Sequence, residues 1–126
     1  MTQLLSSPIT ITLEMTDPEL NDDSRDQQIQ YLVQELQHMD IDSARRVVDP
    51  DPPEGNKALG GFIVGLLTAE VSLENIQYVF RFLSDRLGGK PITLEVEANG
   101  KRLKVTANNQ AELANAILAA QEFIAV

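Results

Sequence analysis

Ile92–Ala98 and Lys101–Ala107 alternate apolar and polar residues on either side of the dipeptide Asn99-Gly100. Asn-Gly is the preferred pair for a two-residue hairpin turn, because both turn positions take positive φ and the turn then matches the twist of its strands. Such a turn fixes the register, and the register fixes which residues share a face. Ile92, Leu94 and Val96 point one way with Leu103, Val105 and Ala107. Thr93, Glu95 and Glu97 point the other way with Arg102, Lys104 and Thr106. One apolar face and one polar face imply a two-layer sandwich, with helices covering the apolar side.

The rest of the chain supplies elements for such a sandwich. Ile9–Met15 alternates as a half-buried strand, which Asp17-Pro18 breaks. Asp22-Asp23-Ser24 offers N-caps for a helix from about Ser24 to His38, with Ile29, Leu32, Val33, Leu36 and Met39 as its apolar stripe. Ser43–Val48 reads as a short second strand. Three prolines and a glycine make Asp49–Lys57 an irregular loop. Ala58–Val71 is apolar nearly all round and reads as a buried helix, with Gly61 and Gly65 on one face admitting a close neighbour. Ser72 caps a further helix striped by Leu73, Ile76, Val79, Phe80, Leu83 and Leu87, and Gly88-Gly89-Lys90-Pro91 ends it. After the hairpin, Asn109 and Glu112 form a capping-box variant ahead of a last helix carrying Leu113, Ala116, Ile117, Ala120 and Ile124.

The predicted order is β-α-β-α-α-β-β-α. The first three elements form a crossover unit, and the last three add an antiparallel hairpin and its covering helix. The expected fold is an α+β two-layer sandwich, a four-stranded mixed sheet with helices on one face. It is similar to a ferredoxin-like fold with an extra helix. Residues 1–126 make one domain, with no internal repeat.

Composition narrows the function classes. Hydrophobic residues make up 43% of the chain, enough for one ordinary core without a disulfide or structural metal. The absence of cysteine removes thiol catalysis and thiolate metal sites, and fits a cytoplasmic location. With 19 acidic and 10 basic residues the net charge is −9, which repels phosphate backbones and argues against nucleic acid. Met1–Ser7 lacks the basic start and long apolar run of a secretory leader. The longest uncharged stretch, Ala58–Ala69, falls well short of the roughly 20 residues that span a bilayer, so no membrane role is expected.

Chemistry-bearing residues are sparse. His38 is the only histidine and sits near a helix C-terminus, where a cation suits the dipole. Asp17, Glu19, Asp22, Asp23 and Asp26 cluster in sequence, as do Asp49, Asp51 and Glu54. Neither group has the calcium-loop spacing, and both read as solvated charge. No metal site and no cofactor are expected. Glu54-Gly55-Asn56-Lys57 precedes the predicted buried helix and could present backbone N–H groups to an anion, but it lacks the nucleotide-loop pattern. Half of the basic residues are Arg45, Arg46, Lys101, Arg102 and Lys104. Cross-strand pairing with Glu95 and Glu97 accounts for Arg102 and Lys104. Tyr31 and Tyr78 do not make a stacking platform for single-stranded nucleic acid.

The order of features carries a resemblance. A strand and an amphipathic helix lead to Val47-Val48, then to a loop with Pro53-Glu54-Gly55-Asn56-Lys57. A very apolar helix, Leu59–Leu67, an amphipathic helix, the hairpin from Ile92 to Leu103 and a terminal helix follow. Over nearly its whole length the chain resembles the bacterial effector-associated constant component family. Its motifs are short; Pro53, Gly55 and Lys57 match the loop, and no catalytic set is carried over. The resemblance implies a non-enzymatic adaptor or regulatory component that partners an effector enzyme, such as a caspase-like or other peptidase, in a bacterial conflict system.

The resulting expectation is a cytoplasmic protein-interaction component, not an enzyme. Its candidate surfaces are the loop residues Pro53, Glu54, Gly55, Asn56 and Lys57 and the outer-face residues Thr93, Glu95, Arg102 and Lys104. The partner is an effector protein; a homodimer through an exposed sheet edge stays open. The alternative reading is a small-molecule sensor that binds its ligand at a subunit interface. A carboxylate-based enzyme is a third option and needs two acids in distinct environments within a cleft.

Overall fold

A computed structural model of the chain describes residues 8–51 and 61–125. The first strand, β1, is Ile9–Met15, with Ile9, Ile11, Leu13 and Met15 buried. Helix α1 spans Asp22–Gln37 and starts before the expected caps. Asn21 is the N-cap: its Oδ1 accepts the Ser24 N–H at 2.8 Å, which frees Asp22 and Asp23 for the first turn, where their charge suits the helix dipole. Strand β2 is Ser43–Val48, the short second strand expected there.

The expected buried helix after the proline-rich loop is instead strand β3, Phe62–Val71. A continuous apolar run suits a helix buried all round and equally a central strand. Composition decides between them. Phe62, Ile63, Val64, Thr68 and Val71 are aromatic or β-branched and favour a pleated surface. Gly65 has φ +70° and Gly61 φ +81°, backbone states outside a helix. Strand β3 lies between β2 and β1, with Gly65, Leu67, Ala69 and Val71 buried toward the helices and Glu70 exposed on the other face.

A 3₁₀ turn over Leu73–Asn75 leads into α2, Ile76–Leu87. Leu73 therefore leaves the apolar stripe and stands exposed. Ser72 makes no capping bond to the backbone; its Oγ accepts from Asn75 Nδ2 at 3.3 Å. Strands β4 (Ile92–Ala98) and β5 (Lys101–Ala107) form the hairpin, with φ of 56° at Asn99 and 76° at Gly100 as a type I′ turn requires. Helix α3, Gln110–Ala125, begins with the Glu112 N–H donating to Asn109 Oδ1 at 2.9 Å. The Glu112 carboxylate returns to the N–H of Asn108 at 2.7 Å, one residue earlier than a standard capping box.

The sheet has five strands in the order β2-β3-β1-β4-β5, and every neighbouring pair is antiparallel. The expected four-stranded mixed sheet is thus overturned, as is the predicted element order. Both errors trace to β3. The crossover β1-α1-β2 joins two parallel strands, and β3 inserts between them. The crossover β3-α2-β4 likewise joins parallel strands with β1 between. Two interleaved split β-α-β units turn every contact antiparallel. The inner strand face and the inward sides of α1, α2 and α3 share one core, including Ile11, Leu13, Leu94, Ile29, Phe80 and Leu113. Among the described residues the helices cover that face alone, and no element packs on the other, open face.

Candidate functional site

The open face is a grid defined by strand register. Its first row runs Ser43, Glu70, Thr10, Glu97, Arg102 across β2, β3, β1, β4 and β5. The second runs Arg45, Thr68, Thr12, Glu95, Lys104. A third, one strand shorter, runs Leu66, Glu14, Thr93, Thr106. Threonines fill the centre of the grid, acids surround them, and cations sit at both outer strands. Small β-branched threonines give strand propensity while keeping hydroxyls at the surface.

Thr93, Glu95, Arg102 and Lys104, singled out from the sequence, lie together on β4 and β5 of this face. Arg102 Nε donates to Glu95 at 2.8 Å, and its Nη2 lies 3.7 Å from Glu97. The cation therefore bridges both acids of β4, while Lys104, directly opposite Glu95 in register, forms no ion pair among the described residues. At the far side of the grid Ser43 Oγ donates to Glu70 at 3.3 Å. Pro53, Glu54, Gly55, Asn56 and Lys57 lie outside the described residues.

The remaining candidates scatter. His38 caps the C-terminus of α1, exposed, and its Nδ1 lies 2.7 Å from the Gln34 carbonyl oxygen. A carbonyl only accepts, so Nδ1 carries the proton. Asp17 and Asp49 each accept a backbone N–H two residues on, from Glu19 at 3.0 Å and from Asp51 at 2.9 Å. Those are turn contacts. Among the described residues no group of three or more His, Cys, Asp or Glu side chains is placed to hold a metal ion. No described helix is long and apolar enough to cross a membrane.

Asp26 departs from the solvated reading of its cluster. It is 1% exposed, bonded to Arg46 of β2, and its Oδ1 takes the Gly65 N–H at 3.4 Å. The Arg46 guanidinium also lies over the Phe62 ring, 4.1 Å from its centre. Arg46 thus belongs to the inner face rather than to a surface patch. The signal was present in the sequence: Asp26 falls three before Ile29 and seven before Val33, on the apolar stripe of α1.

Two open grooves run along the helical layer. One of about 470 Å³ lies between the end of α1 and α2, lined by Glu35, His38, Tyr78, Phe82 and Arg86 among others. Another of about 420 Å³ separates α2 from α3, over Phe80, Ile117 and Leu118. Arg86 closes part of the first groove by gripping Glu35 with two bonds, at 3.1 and 2.6 Å. Tyr31 and Tyr78 are exposed.

No protein-family model, curated protein or solved structure matches the chain. One feature behind the family resemblance also changes, since most of the apolar segment Leu59–Leu67 belongs to a strand.

Proposed function

We propose that this protein is a non-enzymatic interaction component that docks another protein through the uncovered side of its sheet. One observation carries the reading: a five-stranded sheet with helices on one face alone and a polar, charge-patterned surface on the other. On that surface acids and cations pair from strand to strand, as Arg102 does with Glu95 and Glu97. A protein partner suits such a face, because its polar side chains offer many hydrogen-bonding groups and little enclosure. The partner class proposed is an effector enzyme, such as a peptidase of a bacterial conflict system, which is what the family resemblance of the sequence would imply.

The test is binding between the purified chain and each protein encoded beside its gene, followed in solution by calorimetry. Saturable one-to-one binding weakened by Thr12→Arg at the centre of the face supports the proposal. Absence of binding to every one of those proteins contradicts it.

The second reading is a small-molecule sensor, favoured by the groove between α1 and α2. Its volume lies within the usual range of ligand sites, roughly 300–1,000 Å³, and Glu35, His38 and Arg86 converge on it. Thermal stabilisation by a small-molecule panel, lost in Tyr78→Ala, would favour that reading over the first.

A further inference from the structure

The two edges of the sheet differ. At β2 the pairing with β3 is irregular between Arg46 and Val48, and Gln37 Nε2 from α1 occupies the Ala44 carbonyl at 2.9 Å. A bulge and a capped carbonyl blunt an edge against further pairing. At β5 the ladder runs without a break from Ala98–Lys101 to Ile92–Ala107, with no bulge and no proline. None of the turn, cap or loop backbone bonds among the described residues reaches Arg102, Lys104 or Thr106.

The hairpin geometry says which groups that edge presents. A two-residue turn makes its flanking pair, Ala98–Lys101, a hydrogen-bonded one, and pairs then alternate. Arg102, Lys104 and Thr106 occupy the non-bonded pairs, so their N–H and C=O groups point away from β4. An added antiparallel strand would pair with those three residues. Its side chains opposite Arg102 and Lys104 would lie on the open face, two positions apart. The residue between them would face inward, beside half-buried Leu103 and Val105.

Charge selects the occupant. In a chain of net charge −9, three of the ten basic residues stand within Lys101–Lys104, and β5 carries no acid. Strand β4 already shows a matching neighbour: Glu95-Val96-Glu97 places its acids opposite Lys104 and Arg102 and its valine in the core. A second copy of β5 is a poor occupant. Antiparallel self-pairing centred near Lys104 sets cation against cation, by Lys104 on Lys104 or Arg102 on Lys104.

We propose that the outer edge of β5 docks an extended segment of a partner protein in which two acidic residues flank one apolar residue. The inference rests on the reading that this chain binds a protein partner, and adds the β5 edge to the open face as a place of contact. The segment adds a sixth strand, with Lys104 supplying the cation that the β4 acids leave unpaired. Main-chain bonds to Arg102, Lys104 and Thr106 give affinity, and the acid–apolar–acid pattern gives specificity.

The experiment titrates the full-length, isotope-labelled chain with two capped ten-residue peptides, one alternating Glu with Val and one alternating Lys with Val, followed by amide NMR. The proposal expects shifts at Arg102, Lys104 and Thr106 with the Glu peptide and none with the Lys peptide. Lys104→Glu should weaken the Glu peptide roughly threefold to tenfold and admit the Lys peptide. Lys104→Pro removes one outward donor and spares the β4 ladder, so it should abolish binding while the spectrum stays folded. Equal binding of both peptides, or shifts confined to β2 or the helical grooves, would overturn the proposal. So would an absence of shifts at millimolar peptide. If a gene-neighbour protein still binds the chain in that case, the interaction reading survives and only the β5 assignment falls.

Discussion

Arg46 reaches from β2 to Asp26 on α1, and the ion pair they form is closed over by Phe62. Asp26 is 1% exposed, and the Arg46 side chain 18%. The pair fastens the first helix to the strand that precedes the proline-rich loop. Breaking a buried pair leaves a charge without compensation, at a cost of roughly 3–5 kcal/mol. Arg46→Met should therefore destabilise the chain by about that amount in urea unfolding. The double variant Asp26→Leu/Arg46→Met should recover most of the loss, because neither charge is then stranded.

Gly65 supplies the second prediction. Its φ of +70° is unfavourable for any residue with a Cβ, and a Cβ there would come 3.3 Å from the Met15 carbonyl oxygen. Gly65→Ala should cost roughly 1–2 kcal/mol from the left-handed backbone, with crowding in addition. Gly100→Ala has open space around it and should lose the backbone part alone. Thermal unfolding of the two variants side by side measures the difference.

The start of α1 gives a third. Asn21→Ala removes the only side-chain acceptor for the Ser24 N–H among the described residues and should cost about 0.5–2 kcal/mol. Ser24→Ala should be near neutral, although Ser24 looks like the cap in the sequence. Equal losses for both would show that the helix starts later than Asp22.

Those cases show how much could be read from the chain. The hairpin at Asn99-Gly100, the first two strands and the stripes of α1 and α3 were legible because turn chemistry and periodicity are local. Strand β3 was not. Its ten residues are apolar enough to read as a buried helix, and sheet order is invisible in a window of that length. That one error removed a strand and left the sheet mixed. At the surface, Thr93, Glu95, Arg102 and Lys104 were legible because the hairpin register places them together. Arg46 was not, because only the fold sets it against Asp26.

Arg102 provides a fourth prediction, linking fold to function. It is 62% exposed, and its bonds to Glu95 and Glu97 are surface pairs worth at most about 1 kcal/mol. Arg102→Ala should leave unfolding nearly unchanged and weaken partner binding several-fold, more at low salt than at high salt. A loss of stability equal to that of Arg46→Met would assign Arg102 to the fold instead of the interface.

The most direct measurement is a hydrogen-exchange footprint of the chain bound to a protein encoded beside it. The account predicts slowed exchange along β5, strongest at Arg102, Lys104 and Thr106, with little change in α1 and α2. Protection confined to the helical grooves around Tyr78 or Leu118, with β5 exchanging as in the free chain, would contradict it.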